Sequence, residues 1–287
     1  MDRCLIVGVL NCTPDSFSGE GFVEPVKAIE AGIALVEAGA DWIDVGGEST
    51  RPGAAVVSAD EEMERVLPVI EGLERVLAGR ATISIDTYKA ATARAAVRIG
   101  ATVVNDVSGG LLDPDLLPTV ALLGATVVLG HLRGEPATMM EHVAFGDVVA
   151  EVIAELEERV AAAREAGCTK IWADPGIGFG KRIEHNLELL GALPEITSAL
   201  GTANVPVMTG VSRKAFIGKL TGKPVGERQF GTAAAVAACV LGGAGAVRVH
   251  DVAQIRDVVA VAQAIGAARG DRNFRLGQVP VRPSRAI

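Results

Sequence analysis

The chain has 287 residues, a formal net charge of -8 and four cysteines, with 49% hydrophobic but only 3% aromatic residues. The acidic balance argues against a general nucleic-acid surface, and the apolar stretches are interrupted by Gly, Pro or charge before reaching the roughly 18–20 residues of a membrane span. Cys4, Cys12, Cys168 and Cys239 form no CxxC pair, which disfavours a zinc site and implies reduced thiols and a cytoplasmic protein.

The N-terminal MDRCLIVGVLNC runs into a strand without the small-residue cleavage site of a signal peptide. Short β-branched runs then recur: Cys4–Leu10, Trp42–Val45, Thr82–Asp86, Val103–Asp106, Thr126–Leu129, Ile171–Asp174, Val205–Thr209 and Ala246–Val249. Helical patterns separate them. From Ala59 to Leu77 the residues Met63, Val66, Leu67, Ile70, Leu73 and Leu77 share one face, and Ser58 with Glu61 forms a capping box. Val149, Val152, Ile153, Leu156, Val160 and Ala163 repeat the pattern, and Gly39 and Gly167 are helix stops.

Strand–helix alternation implies a parallel sheet, open or closed. Eight units of about 36 residues favour closure as a single-domain (β/α)8 TIM barrel over residues 1–269. An open dinucleotide-binding sheet would need a Gly-rich turn after the first strand, where this chain has Asn11, Cys12, Thr13 and Pro14. Residues 270–287, with prolines, arginines and no helical period, are expected to be an irregular tail.

In such a barrel the residues following each strand share one mouth. They are Asn11; Glu48, Thr50 and Arg51; Asp86; Asn105 and Asp106; His131 and Arg133; Asp174; Ser212, Arg213 and Lys214; and Arg248, His250 and Asp251. Every strand is thus expected to deliver a polar group there. Singly, each has a plain alternative: Asp86 or Asp106 as a helix N-cap, His131 as a packed residue, Arg248 as the partner of Asp251. Alternation puts Arg248 and His250 on one face, after the strand where barrels commonly bind phosphate. Asp86, Asp174 and Asn105 suit a flat heterocycle with an N–H edge, so the mouth combines a deep acidic part with a basic rim.

Seven segments carry a family resemblance: GVLNCTPDSFS at 8–18, DVGGESTRPGA at 44–54, ISIDTYKA at 83–90, VVNDVSGG at 103–110, DPGIGFGK at 174–181 followed by His185 and Asn186, GVSRKAFIG at 210–218 and VRVHDV at 247–252. Together they resemble the dihydropteroate synthases of the pterin-binding barrels. That family joins p-aminobenzoate to 6-hydroxymethyl-7,8-dihydropterin diphosphate with Mg2+ present, releasing diphosphate.

The resemblance implies that Asp86, Asn105, Asp174, Lys214 and Arg248 bind the pterin. It assigns the diphosphate to Asn11, Arg51, Arg248 and His250, with Asn11 as the Mg2+ ligand, and p-aminobenzoate to Thr50, Arg51, Pro52, Phe17, Phe179 and Ser212. Catalysis falls to Lys214, Arg248, His250 and Asp86, the loops 13–23 and 46–57 are the lids, and the protein is expected to be a homodimer through its late helices. Two departures stand out. Gly19, Glu20 and Gly21 replace the usual Asp-Gly-Gly, and Gly130 stands where a methionine usually precedes the histidine, which implies looser packing over the pterin. A methyltetrahydrofolate-dependent methyltransferase and a catalytically silent pterin-binding paralogue are the alternatives.

Overall fold

The computed structural model describes residues 3–13, 24–49 and 56–270. Their order is β1 (Leu5–Asn11), α1 (Pro25–Ala38), β2 (Trp42–Gly46), α2 (Ala59–Leu77), β3 (Thr82–Asp86), α3 (Ala90–Arg98), β4 (Val103–Asp106), α4 (Leu116–Leu123), β5 (Thr126–Gly130), α5 (Val148–Glu165), β6 (Ile171–Asp174), α6 (Ile183–Gly191), α7 (Leu193–Gly201), β7 (Met208–Thr209), α8 (Ala215–Thr221), α9 (Gln229–Leu241), β8 (Ala246–Val249) and α10 (Val252–Gly270). The eight strands are parallel in the order β6-β5-β4-β3-β2-β1-β8-β7. The circle closes between β6 and β7 through the single bridge Ala173–Val207, making a single-domain (β/α)8 barrel.

Helix α2 has the expected bounds, and its Ser58 side chain accepts from the Glu61 N–H at 3.2 Å. Gly39 ends α1 in the left-handed conformation, φ 112°. Gly167 follows α5 with φ 98°, also a conformation that glycine adopts without a Cβ clash. The expected 205–209 strand contracts to Met208–Thr209, because Pro206 has no N–H to donate to a ladder. Its carbonyl still accepts from Ala173 N at 3.0 Å. α10 continues through Gly270, one residue past the expected domain end, and residues 271–287 lie outside the described part.

Two apolar layers hold the barrel. Val, Leu, Ile and Ala from the outer strand faces and inner helix faces form the larger core. Within the barrel, near the N-terminal strand ends, Val7, Trp42, Val103, Val128, Met208 and Ala246 pack with Leu5 and Trp172. The rings of Trp42 and Trp172 meet edge to face at 5.2 Å across this floor. Side chains alternate along each strand, so the next inward positions above the floor are Asp44, Asn105, Gly130, Asp174 and Arg248.

Candidate active site

Arg248 is the hub of one side of the mouth. Its Nε donates to Asp44 Oδ2 at 2.6 Å and its Nη2 to Asp86 Oδ2 at 2.6 Å. Asp44, buried to 1% exposure, also accepts from Asn105 Nδ2 at 2.8 Å on Oδ2 and from Ser84 Oγ at 2.6 Å on Oδ1. Burial pushes the Asp86 carboxyl up to about 7 against the opposing pull of Arg248, whereas the carboxylates hold the Arg248 guanidinium above its ordinary range despite its burial.

The opposite side carries the lysine. Lys214 stands immediately before α8, with its ammonium 3.8 Å from the centre of the Phe179 ring, a cation–π contact. Burial lowers its pKa to about 8, with Asp174 as the chief opposing influence. Lys214 enters no salt bridge among the described residues. Asp174 accepts from Gly176 N at 2.7 Å on Oδ1, and burial raises its pKa. Gly178 has a left-handed φ of 82°, and a Cβ built on it would come within 2.7 Å of Lys214 Cδ, so the lysine stem lies against bare backbone.

Three side-chain oxygens in this mouth take no donor among the described residues: Asp86 Oδ1, Asn105 Oδ1 and Asp174 Oδ2. They stand on β3, β4 and β6. Just past β7 and β8, Ser212 Oγ lies 3.0 Å from His250 Nδ1 and accepts from His250 N at 3.3 Å. Burial, followed by Arg248 and Arg213, lowers the His250 pKa to about 4, so this imidazole is neutral at pH 7. Asn11 ends β1 beside Gly46 in the ladder, and its side chain makes no hydrogen bond among the described residues.

The structure therefore gathers Asn11, Asp86, Asn105, Asp174, Phe179, Ser212, Lys214, Arg248 and His250 at one end. Phe17, Thr50, Arg51, Pro52, and the Gly19–Glu20–Gly21 departure lie outside the described residues. Other strand-end groups serve the scaffold. Asp106 Oδ1 accepts from Ser108 N at 2.8 Å and its Oδ2 from Gly110 N at 2.5 Å, so it holds the turn after β4; the N-caps of α3 and α4 are Lys89 and Asp115, not Asp86 or Asp106. Asp251 pairs with Arg213, Nε to Oδ2 3.0 Å, and not with Arg248. Arg213 holds a left-handed φ of 60° between Ser212 and Lys214. Glu48 meets Lys89 and Tyr88.

The expectation that every strand delivers a polar group fails at β5. Arg133 is bonded to Glu151 and Glu155 of α5. His131 lies between Glu155 Oε2, 3.1 Å from Nε2, and Lys181 Nζ, 2.9 Å from Nδ1. β5 thus offers the mouth only Gly130, and the packing there is closed instead of loosened. A Cβ on Gly130 would lie 2.6 Å from Val107 O and 2.7 Å from Val107 Cα, so backbone of the β4–α4 connection fills the space.

Two residues were not singled out from the sequence, one within a strand and one seven residues past the end of β6. Asp44 sits inside β2 between Ile43 and Val45, and an inward carboxylate in an apolar barrel strand was its available signal. Lys181, 5% exposed, donates to Gly176 O at 3.1 Å and Phe179 O at 3.1 Å. It pins the turn that carries Phe179. Burial lowers its pKa to about 7.

Residues 7–250 match the family described as pterin binding enzyme. A dihydropteroate synthase of Synechocystis is 43% identical over 267 residues, covering 92% of this chain and 90% of that protein. The Xanthomonas albilineans dihydropteroate synthase solved with 4-aminobenzoic acid is 43% identical with a TM-score of 0.84, covering 93% of this chain and 94% of that one. The same bacterium's enzyme in complex with 7,8-dihydropteroate is 41% identical with a TM-score of 0.81, covering 93% and 95%.

Proposed function

Because this chain belongs to the pterin-binding enzymes, and within them to the dihydropteroate synthases of folate biosynthesis, we propose that its mouth performs their condensation through the residues gathered there. The substrates are 6-hydroxymethyl-7,8-dihydropterin diphosphate and p-aminobenzoate; the products are 7,8-dihydropteroate and diphosphate. The observation that carries the assignment of residues is the trio of oxygens on Asp86, Asn105 and Asp174 that take no donor among the described residues, at a mouth that also holds Lys214 and Arg248. A pterin presents ring N–H and amino donors beside a carbonyl acceptor. The three oxygens receive the donors and Lys214 donates to the carbonyl.

Arg248 spends Nε on Asp44 and Nη2 on Asp86, which leaves Nη1 to donate to the diphosphate beside the neutral His250. Among the described residues no group of three or more His, Cys, Asp or Glu could hold a metal. A magnesium ion held through one amide oxygen, waters and substrate phosphate needs no such group, and the Asn11 side chain, which makes no hydrogen bond among the described residues, fits that role. Bound there, Mg2+ would neutralise charge on the leaving diphosphate.

The pterin C–O bond breaks with its electron pair leaving on diphosphate. The carboxylates of Asp86 and Asp174 stabilise the resulting methylene cation. The aniline lone pair of p-aminobenzoate then forms the C–N bond, and the amine loses one proton. Phe179, Ser212 and Lys214 form the described wall of the aminobenzoate site; Phe17, Thr50, Arg51 and Pro52 are assigned to the remainder by the family resemblance.

No helix among the described residues is long and apolar enough to cross a membrane, and we place the protein in the cytoplasm. Exposed Leu220, Val225 and Phe230, the last 89% exposed, support a homodimer through the late helices, to be checked by sedimentation.

The test is turnover with the pterin diphosphate, p-aminobenzoate and Mg2+. Product formation separates a synthase from a silent paralogue or a methyltransferase. Binding is ordered: at saturating pterin, Mg2+ and diphosphate together tighten p-aminobenzoate by a coupling of about 1–3 kcal/mol, which Asn11→Ala reduces. Equal affinity with and without them would leave a preformed pocket.

A further inference from the structure

Asn105 is the one ligand-facing amide in the acceptor trio, and either end of an amide could be presented to a ligand. Its orientation is decided beneath the pocket. Asp44 is a carboxylate at 1% exposure that offers only lone pairs. The Asn105 atom 2.8 Å from Asp44 Oδ2 is therefore Nδ2, a donor, and the carbonyl oxygen is the end left without a partner. The same carboxylate oxygen takes Arg248 Nε at 2.6 Å, while Ser84 fills the other. Both oxygens of Asp44 are thus held by protein donors, and the carboxylate is too buried to touch a ligand.

We infer that Asp44 is a positioning residue that sets the hydrogen-bonding polarity of the pocket, fixing Asn105 as an acceptor and Arg248 with Nη1 free. This rests on the pterin reading above and deepens it to ligand choice. A heterocycle whose edge carries N–H and amino donors is accepted. One presenting lone pairs at the same edge meets three oxygens and is refused, because an unpaired buried polar group costs more than an unmade bond in water.

Asp44→Leu tests this with little change of shape, since leucine is branched alike but offers no acceptor. An asparagine would keep its oxygen toward Arg248 Nε and Asn105 Nδ2 and turn its own Nδ2 to the Ser84 hydroxyl, whereas leucine leaves Asn105 Nδ2 unpaired and free to turn toward the ligand. Calorimetric titration with 6-hydroxymethyl-7,8-dihydropterin should show affinity falling about 10-fold or more, the size of one misplaced buried donor. The analogue with hydrogen in place of the ring amino group should change less than about threefold, so discrimination between the two collapses. The variant also removes a partner of Arg248, and Asn105→Ala separates that effect. In the Asn105→Ala background, Asp44→Leu should leave the ratio of the two affinities within about threefold of that in Asn105→Ala alone. A merely structural Asp44 would lower both ligands' affinities alike in both backgrounds.

Unchanged discrimination in Asp44→Leu, or an equal change of discrimination with and without Asn105, overturns the inference while the pterin reading stands. A wild-type protein that binds no pterin overturns that reading and this inference with it. Should the variant fail to fold, the wild type decides. It must prefer the pterin to the des-amino analogue by about 10-fold or more, and equal binding of the two overturns the proposal.

Discussion

The two sides of the mouth handle buried positive charge in opposite ways. Toward β2, β3 and β4, Arg248 is bonded directly to two carboxylates, which hold its pKa above the ordinary range. Toward β6 and β7, Lys214 and Lys181 face an aromatic ring, carbonyl oxygens and an imidazole nitrogen, and burial drags them to about 8 and about 7. A cation paired by carboxylates is committed to the scaffold and keeps only its spare donors for a ligand. Lys214, without a carboxylate partner among the described residues, is poised to gain an anionic partner from outside, and a ligand carboxylate or phosphate that arrives restores its charged form. Lys181 instead is held in place by the turn it pins.

The largest expected effect breaks the paired side. Arg248→Met leaves Asp44 and Asp86 facing each other without their shared cation and should cost about 3–5 kcal/mol of unfolding free energy, read from denaturant midpoints. A loss below about 1 kcal/mol would mean that solvent, not Arg248, neutralises them.

Next comes Asp174→Asn. An amide cannot offer the acceptors of a carboxylate to both the pterin and Gly176 N, and pterin binding should weaken by about 2–4 kcal/mol. Near-normal affinity by calorimetry would remove Asp174 from the pterin site.

Lys214→Ala sharpens the unpaired side. It should weaken pterin binding and raise the p-aminobenzoate Michaelis constant together, each by about 10-fold or more. A change in the aminobenzoate constant alone would contradict a lysine shared between the two substrates.

The smallest effect is a slope. Below about pH 7, Lys181 is protonated in both folded and unfolded chains, and the cost of burying its charge is fully present. As pH rises above 7, the folded chain releases that proton while the unfolded chain keeps it up to about 10.5, so Lys181 makes stability increase with pH. Between pH 7 and 8.5, replacing Lys181 with Met should flatten the ligand-free stability profile by up to about 1 kcal/mol per pH unit. An unaltered profile would place Lys181 outside that titration.

Much of this was legible in the chain because barrels repeat a simple rule. β-branched runs and amphipathic spacing marked all eight strands and the bounds of α2, and strand alternation placed Arg248 on the inward face. What remained hidden was choice of partner. Arg248 had Asp251 nearest in sequence, yet the ladder brings Asp44 and Asp86 to its face and leaves Asp251 to Arg213. His131 and Arg133 follow a strand as much as Asp174 does, but their bonds run to α5, a distinction that depends on how the chain leaves the strand and not on residue type. Gly130 misled because a missing side chain suggested a gap, when neighbouring backbone had moved into its place.

The paired tryptophan rings of the barrel floor have a practical consequence. They are the chain's only two tryptophans, and Trp172 precedes Asp174 by two residues on one strand, about 7 Å along it. Intrinsic indole emission therefore originates wholly at the base of the barrel and reports whether the cylinder is intact. Every substitution proposed at the rim leaves that emitter untouched, so the integrity of each variant can be followed optically in the same cuvette in which its ligands are titrated by other means.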